Sequence, residues 1–394
     1  MADVLLMDIC VLNPYFYPYK GGTEKVLFEV YRRLAKRHNV TVLTSGKKGA
    51  WHDSREDIEG IEVVRLRAAH IRIPVAPLPF VAATGLNRMI KRARCEIYHI
   101  NNRYQYFYDN VAAIKKVNGK VALTIHNSLP IGIDSVVDSL GLAYDMAWGR
   151  LLMHDADLIT GISENAINMT VPRKERWKTH LVYNGVDFDV FRPMKKSSLE
   201  VSKVFDELGR VCRSNDANIV TNGRLVEQKG QSYLLQAVAE LVKEGHELGL
   251  LVIGRGPLED SLRSEAQSLG VADRFWIKSG IDEKDLPAYY NMGDAFILPS
   301  LYEPASLVIL EAMACEVPSI ASRVGGLPEM LDGYGLYTKP RSADDIKARI
   351  LYVLENRKRM ETLARKGREF IVKRHNWDDI AKRYEELFLK TLRY

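Results

Sequence analysis

Cysteine is scarce in this chain. Its 394 residues hold four, Cys10, Cys95, Cys212 and Cys315, and none stands in a CxxC spacing. Such a set offers neither a disulfide frame nor a zinc site and reads as reduced intracellular thiols. Long apolar runs are missing too. No stretch reaches the ~18 apolar residues of a spanning helix, so none is expected. Met1-Ala2-Asp3 leads straight into a strand pattern with no signal peptide in front. Low-complexity segments and tight internal repeats are also absent. Acidic residues are missing locally: between Val63 and Cys95 there are none, beside Arg65, Arg67, Arg72, Arg88, Lys91, Arg92 and Arg94. With the apolar run from Ile71 to Phe80, that segment suggests contact with an anionic membrane surface. The plainer alternative is a core helix with a solvated basic face. Nucleic acid is a weaker partner, because the rest of the chain is acid-balanced and carries no recognition motif.

What is present is ordinary for a soluble globular protein: 46% apolar residues, 27% charged and a net charge of +6. A single core stops growing near roughly 250–300 residues, so two domains are expected. Strand patterns fall at Asp3–Leu12, Asn39–Thr44, Ile61–Leu66, Glu96–Ile100, Lys120–Ile125 and Asp157–Ile162, with helical patterns between most of them. Gly21-Gly22-Thr23-Glu24 opens a helix that runs to about Arg37. Such alternation predicts a doubly wound parallel sheet. The pattern stops across Phe191–Asn218, which marks the domain junction. A second series follows, with strands at Ile219–Asn222, Leu248–Ile253, Arg274–Ile277, Asp294–Leu298 and Val317–Ala321. Gln231–Glu244 is one of its helices, and three helices close the chain, the last at Trp377–Leu392.

The most telling segment is Ser300–Ala314, SLYEPASLVILEAMA, where Glu303 and Glu311 straddle a predicted helix start. A helix leaves its first N–H groups unpaired, here Ala305, Ser306 and Leu307. Such an N-terminus favours an anion, commonly phosphate. A phosphate cradle flanked by two carboxylates suits a nucleotide-sugar. Ligands of open parallel sheets bind beyond the carboxyl ends of the strands. Gly21 and Gly22, His126, Arg224, Gly254 and Gly256, and Glu303 all fall at such ends.

In order, these residues resemble the retaining glycosyltransferases of family 4. The resemblance runs through Gly21-Gly22-Thr23-Glu24, Thr124-Ile-His126, Ala156–Glu164, Tyr183-Asn-Gly-Val-Asp187, Gly223–Gly230, Val252–Pro257, Glu303 with Glu311, and Gly325-Gly-Leu-Pro-Glu329. It covers essentially the whole chain. It implies a GT-B fold: an α/β protein of two Rossmann-like, doubly wound parallel-sheet domains facing across a cleft. Residues 1–190 would form the acceptor-binding domain, with helix 376–394 packing back on it. Residues 191–375 would bind the nucleotide-sugar. The resemblance also implies roles. Arg224 and Lys229 would contact the diphosphate, with Gly254 beside it. Glu303 would face the donor sugar, and His126 its C6 hydroxyl and reacting face. Glu311 would hold the ribose hydroxyls. The amides of Ser306 and Leu307 would touch phosphate and sugar. Gly22, next to Gly21, would let the backbone approach the diphosphate, where a Cβ would clash. Backbone near Ile277 and Lys278 would meet the base.

The implied activity is metal-independent, retaining hexosyl transfer from a UDP- or GDP-sugar, with no cofactor beyond the donor. Asp187-Phe-Asp189 mimics a metal motif but lies in a turn, and no metal site is expected. The chain departs from the family in Glu303-Pro-Ala-Ser306, where relatives often have Glu-Gly-Phe-Gly, so the sugar is left open. Glu316 stands where a Gly is usual. Tyr104, Tyr106, Phe107 and Tyr108 are candidates for the acceptor side or for a core helix face. The basic segment favours a lipid-linked or membrane glycan acceptor and a cytoplasmic location, peripheral at the inner face of the membrane. The alternatives are a soluble sugar or sugar-phosphate acceptor, or a non-catalytic nucleotide-sugar-binding protein.

Overall fold

A computed structural model describes residues 6–19, 21–46, 52–71, 80–101, 103–105, 108–127, 139, 142–209 and 217–393. Tyr106, Phe107, Cys212 and residues 72–79 of the basic segment lie outside the described residues, as do the side chains of residues 80, 105 and 108. The chain divides into two compact units, residues 1–184 with 377–394, and residues 185–376.

In chain order the strands of the first unit are β1 (Asp8–Leu12), β2 (Asn39–Ser45), β3 (Ser54–Ile58), β4 (Ile61–Leu66), β5 (Ala68–Ile71), β6 (Phe80–Ala83), β7 (Ile97–Ile100), β8 (Lys120–Ile125), β9 (Leu158–Gly161) and β10 (Thr179–Leu181). Eight of them form one sheet in the order β10-β9-β8-β7-β1-β2-β4-β3. All pair in parallel except β3, which runs antiparallel to β4. The central strands β1, β7 and β8 are mostly apolar and almost wholly buried, as suits a parallel sheet covered on both faces. Each residue of β7 is buried, and Cys10, Leu12, Leu43, Tyr98 and Leu123 share one core cluster. Strand β3 is different. Its sequence SREDI is exposed, as suits an edge blunted by charge. Strands β5 and β6 form a separate antiparallel hairpin inside the acid-free segment.

The second unit holds β11 (Ala217–Asn222), β12 (Leu248–Ile253), β13 (Phe275–Lys278), β14 (Ala295–Leu298), β15 (Ser319–Ser322) and β16 (Leu336–Thr338). They make an all-parallel sheet in the order β13-β12-β11-β14-β15-β16. Helix Gln231–Lys243 covers one face with Leu234, Leu235, Val238 and Leu241. Asp187 Oδ1 accepts from the N–H groups of Asp189 (3.0 Å) and Val190 (3.2 Å) and closes a turn.

The last helix, Trp377–Leu392, belongs to the first unit. Trp377 and Phe388 are buried. His38 Nδ1 accepts from the Met7 N–H at 3.3 Å, which leaves Nε2–H to donate to Glu385 Oε1 at 2.8 Å. Arg37 pairs with the other Glu385 oxygen. Tyr384 OH meets Thr124 Oγ1 at 3.3 Å. A carboxylate buried in this way is worth keeping only while its donors are present. Glu385→Ala strands the buried His38 donor, while half-exposed Arg37 turns to water, and should cost about 1–3 kcal/mol. Denaturant melts that follow the first unit should show it; a loss below ~0.5 kcal/mol, the scale of an ordinary surface change, would mean the contact is incidental.

Candidate functional site

In the second unit the sheet order reverses between β11 and β14. From β11 the chain proceeds through β12 to β13 on one side; from β14 it proceeds through β15 to β16 on the other. The loops leaving these two strands therefore diverge, and a crevice opens at their carboxyl ends. One loop is 223–230, after β11. The other is 299–306, after β14. They are fixed to each other by the Gln228 carbonyl, which accepts from Leu301 N at 2.8 Å, and by Gln228 Nε2, which donates to the Tyr302 carbonyl at 3.0 Å. Gly230 takes φ +66°, and a Cβ there would meet the Pro299 carbonyl. Gly254 lies against the Gly223 carbonyl and donates to the Lys278 carbonyl at 2.7 Å. No larger residue would let these backbones approach.

Lys229 Nζ forms an ion pair with Glu303 Oε2, and Ser300 Oγ donates to the same oxygen at 3.2 Å. Glu303 is 6% exposed. Its carbonyl accepts from Gly326 N at 3.0 Å. Arg224 is exposed, and its guanidinium makes no ion pair among the described residues. Its carbonyl is held by Gln231 Nε2 at 2.9 Å. Helix Leu307–Ala314 begins at Ser306 with no side-chain cap. One turn in, Glu311 is 4% exposed. Tyr290 OH accepts from Asn222 Nδ2 and donates to Glu311 Oε2, both at 2.8 Å. Burial, then the adjacent Glu311, push the Tyr290 hydroxyl far up, so it stays a donor. The crevice thus gathers two cations, two buried carboxylates and an uncapped helix start.

Gly21, Gly22 and His126 stand in the first unit, at the carboxyl ends of β1 and β8. The first unit's sheet also reverses, between β1 and β7. His126 is buried, and its Nε2 lies 3.1 Å from Asn101 Oδ1. The Asn101 amide is oriented by donation from Nδ2 to the His99 carbonyl at 3.2 Å. Nε2 of His126 therefore carries the proton, and Nδ1 keeps its lone pair. Burial lowers its pKa to about 4, so the ring is neutral near pH 7.

Two family models match the chain: glycosyltransferase family 4 over residues 20–190, and glycosyl transferases group 1 over residues 211–370. The chain belongs to the family 4 glycosyltransferases. A GDP-mannose-dependent α-(1-6)-phosphatidylinositol monomannoside mannosyltransferase of Mycolicibacterium smegmatis is 28% identical over 393 residues, covering 94% of this chain and 96% of that protein. The N-acetyl-α-D-glucosaminyl L-malate synthase of Bacillus anthracis is 25% identical, covering 96% of each. Among solved structures, Anabaena HepE in complex with UDP and glucose superposes with a TM-score of 0.76 at 20% identity, covering 96% of this chain and 98% of that one. The fold is GT-B.

In this glycosyltransferase the Lys278 ammonium pairs with Glu207, which leaves the expected contact near Ile277 and Lys278 to the backbone. Burial tends to raise the Glu207 pKa; Lys278 and Tyr289 outweigh it and hold the carboxyl below its usual range. Ile277, beside it, is buried. A Cβ on Gly22 meets nothing within 4 Å of protein, so no clash inside the protein demands that glycine. The crowded one is Gly21, against Glu24. The Ser306 N–H is not free; it points at Met330 Sδ, 3.1 Å away. A thioether is a weak acceptor, readily exchanged for an oxygen. Among the described residues the amides of Ala305 and Leu307 make no hydrogen bond. Tyr104 packs into a cluster with Arg103, Asp145 and Tyr144.

The glycosyltransferase also uses residues that the sequence reading passed over: Ser300, Gln228, Tyr290 and Asn222. Only Asn222 carried a signal, as the last residue of a strand. His99 was passed over as well. Its Nδ1 meets Tyr31 OH and its Nε2 lies 2.6 Å from Thr124 Oγ1. Burial first, and His126 second, lower its pKa to about 3. Both histidines therefore refuse protons that the unfolded chain accepts at a pKa of about 6.5. Their contribution is present above that pH and is lost as the pH falls from about 6.5 toward 4. His180, lowered mainly by burial, acts in the same direction. Denaturation midpoints should fall between pH 6.5 and 5, and His126→Gln should flatten that slope. An unchanged slope in the variant would show that His126 charges as easily folded as unfolded.

Proposed function

We propose that the protein is a metal-independent, retaining hexosyltransferase, moving a hexose from a UDP- or GDP-sugar to a lipid-linked or membrane glycan acceptor. One observation carries the reading. At the β11/β14 reversal, Arg224 and Lys229 share a crevice with the uncapped start of helix Leu307–Ala314 and with buried Glu311. Arg224 would grip two phosphate oxygens and Lys229 would add a point charge. Glu311 would accept from the ribose hydroxyls, and Glu303 from the C3 and C4 hydroxyls of the sugar. His126 would offer its Nδ1 lone pair to the C6 hydroxyl. Gly21, Gly22, Gly254 and the backbone near Ile277 would line the nucleotide, with the amides of Ala305, Ser306 and Leu307 toward phosphate and sugar.

In the transfer, the bond from C1 to the diphosphate oxygen breaks and negative charge gathers on the leaving phosphate. The acceptor hydroxyl oxygen bonds to C1 on the same face, and its proton passes to that phosphate. No side chain is assigned as nucleophile or base. The two cations and the helix start stabilise the growing charge, which is preorganised electrostatic catalysis.

A lipid or membrane acceptor is favoured by the activity named for the mycobacterial relative. An exposed surface of the first unit agrees with it. Leu142, Met146, Trp148 and Leu151 are exposed around Arg150, and no exposed residue from 142 to 154 is acidic. Basic and apolar groups together suit an anionic bilayer surface. Among the described residues no helix is long and apolar enough to cross a membrane, so contact would be from one side.

Two variants test the chemistry in EDTA-treated protein. Arg224→Ala and Lys229→Ala should each lose about a hundredfold or more in turnover, the scale of one electrostatic stabiliser. Full turnover in either removes that residue from the mechanism. An inverted product anomer by NMR would end the retaining assignment, and activity that vanishes in EDTA would end the metal-free one. Flotation with anionic vesicles should carry the protein upward; failure to float would favour a soluble acceptor.

A further inference from the structure

One backbone amide at the helix start of the β11/β14 crevice differs from its neighbours. Ala305 and Leu307 are half-buried, so water can serve their N–H groups. Ser306 between them is 3% exposed. A buried N–H ordinarily needs a partner within the protein. The partner here is Met330 Sδ, 3.1 Å away. Met330 is itself 1% exposed.

The loop that follows β15 brings the sulfur to this place. Gly325 takes φ +53° against the Glu303 carbonyl, an approach that a Cβ would block. Gly326 N donates to the same carbonyl at 3.0 Å. The short helix Leu327–Leu331 starts there, and Met330 N donates back to the Gly326 carbonyl at 3.2 Å. Met330 therefore stands one turn beyond the contact that ties its loop to Glu303. Leu310, on the helix that Ser306 opens, shares a core cluster with it. Backbone contacts and apolar packing aim the sulfur at Ser306.

The choice of sulfur has a chemical consequence. An aliphatic side chain would leave the Ser306 N–H unpaired while the crevice is empty. A hydroxyl or amide oxygen would hold that N–H against an incoming ligand. A thioether lies between the two, because it accepts weakly and sits on an unbranched chain with three rotatable bonds. A phosphate oxygen is the stronger acceptor, since its charge assists the bond.

We infer that Met330 sets donor affinity: its sulfur covers the Ser306 N–H in the empty crevice and yields it to a phosphate or sugar oxygen of the nucleotide-sugar. The bond given up subtracts from donor binding, so this side chain weakens the hold on the donor. The inference rests on the donor reading proposed above.

Met330→Leu conserves volume and removes the sulfur. Calorimetry in EDTA compares it with wild type for UDP, GDP, UDP-glucose and GDP-mannose, with uridine and guanosine as controls that lack the diphosphate. The donor that wild type binds should bind the variant about three- to tenfold more tightly, the scale of one hydrogen bond no longer given up. The matching nucleoside should bind both proteins alike. A gain already present with the nucleoside diphosphate puts the Ser306 amide on phosphate; a gain that needs the sugar puts it on the sugar. Methyl NMR of wild type labelled at its 11 methionines reads the exchange without any substitution. One methionine signal should move as the donor saturates, and that signal should be missing from Met330→Leu. Donor affinity equal to or weaker than wild type, a nucleoside gain as large as the donor's, or no methionine signal that moves would each overturn the inference. Nucleotide binding in neither protein would sink the donor reading itself, and this inference with it.

Discussion

Lys229 and Glu303, 74 residues apart, are held together by a largely buried ion pair at the point where the second sheet reverses. Removing two charges from water is costly and is repaid only with good geometry and further hydrogen bonds. Ser300 supplies one of these bonds, and Gln228 binds the two loops through two more. The surrounding backbone is shaped to permit the pair. Gly230 lies against the Pro299 carbonyl and Gly254 against that of Gly223, approaches that a Cβ would block. The result is a rigid rim on which the backbone of Arg224, the helix start at Ser306 and Glu311 take fixed places. Rigid placement is what electrostatic stabilisation of a leaving diphosphate requires, since groups that must reorganise during reaction stabilise less.

The first unit is organised differently. Its polar residues are drawn inward into a network of neutral partners. His99 touches Tyr31 and Thr124, Thr124 lies 2.6 Å from Thr160, and Tyr384 of the last helix closes the group. Keeping both His99 and His126 uncharged makes this network compatible with burial. It also leaves His126 able to accept a hydrogen bond at neutral pH and poorly suited to act as an acid there. Glu385 anchors the same helix at its other side, so the end of the chain is part of the first unit's core.

Much of the fold was legible because strands buried on both faces become continuous apolar runs. Lys120–Ile125 and Leu248–Ile253 were read with their observed ends for that reason, and Ile61–Leu66 from its buried Ile61, Val63, Val64 and Leu66 between half-buried Glu62 and Arg65. Ser54–Ile58 was missed because an exposed edge strand of alternating charges has no apolar face to reveal it. The β5–β6 hairpin lay inside a segment read by its charge. Glycine-rich loops and the helix start at the crevice were legible from local pattern. Their partners were not. Lys229 and Glu303 were given separate ligands, and only the tertiary fold pairs them. Tyr290 carried no motif, yet its hydroxyl links Asn222 to Glu311. Nothing in the sequence pairs Lys278 with Glu207, which takes up its charge.

The central claim is that the β11/β14 crevice holds a nucleoside diphosphate with its ribose on Glu311. A thermodynamic cycle addresses it most directly: calorimetry of UDP and GDP and their 2′-deoxy and 3′-deoxy forms, in EDTA, against wild type and Glu311→Gln. The account predicts that one base binds selectively, that the variant and loss of a ribose hydroxyl each weaken it about tenfold, and that combining them costs little more than either alone. Losses that simply add, or a deoxy form that binds wild type undiminished while the variant is impaired, would contradict the account.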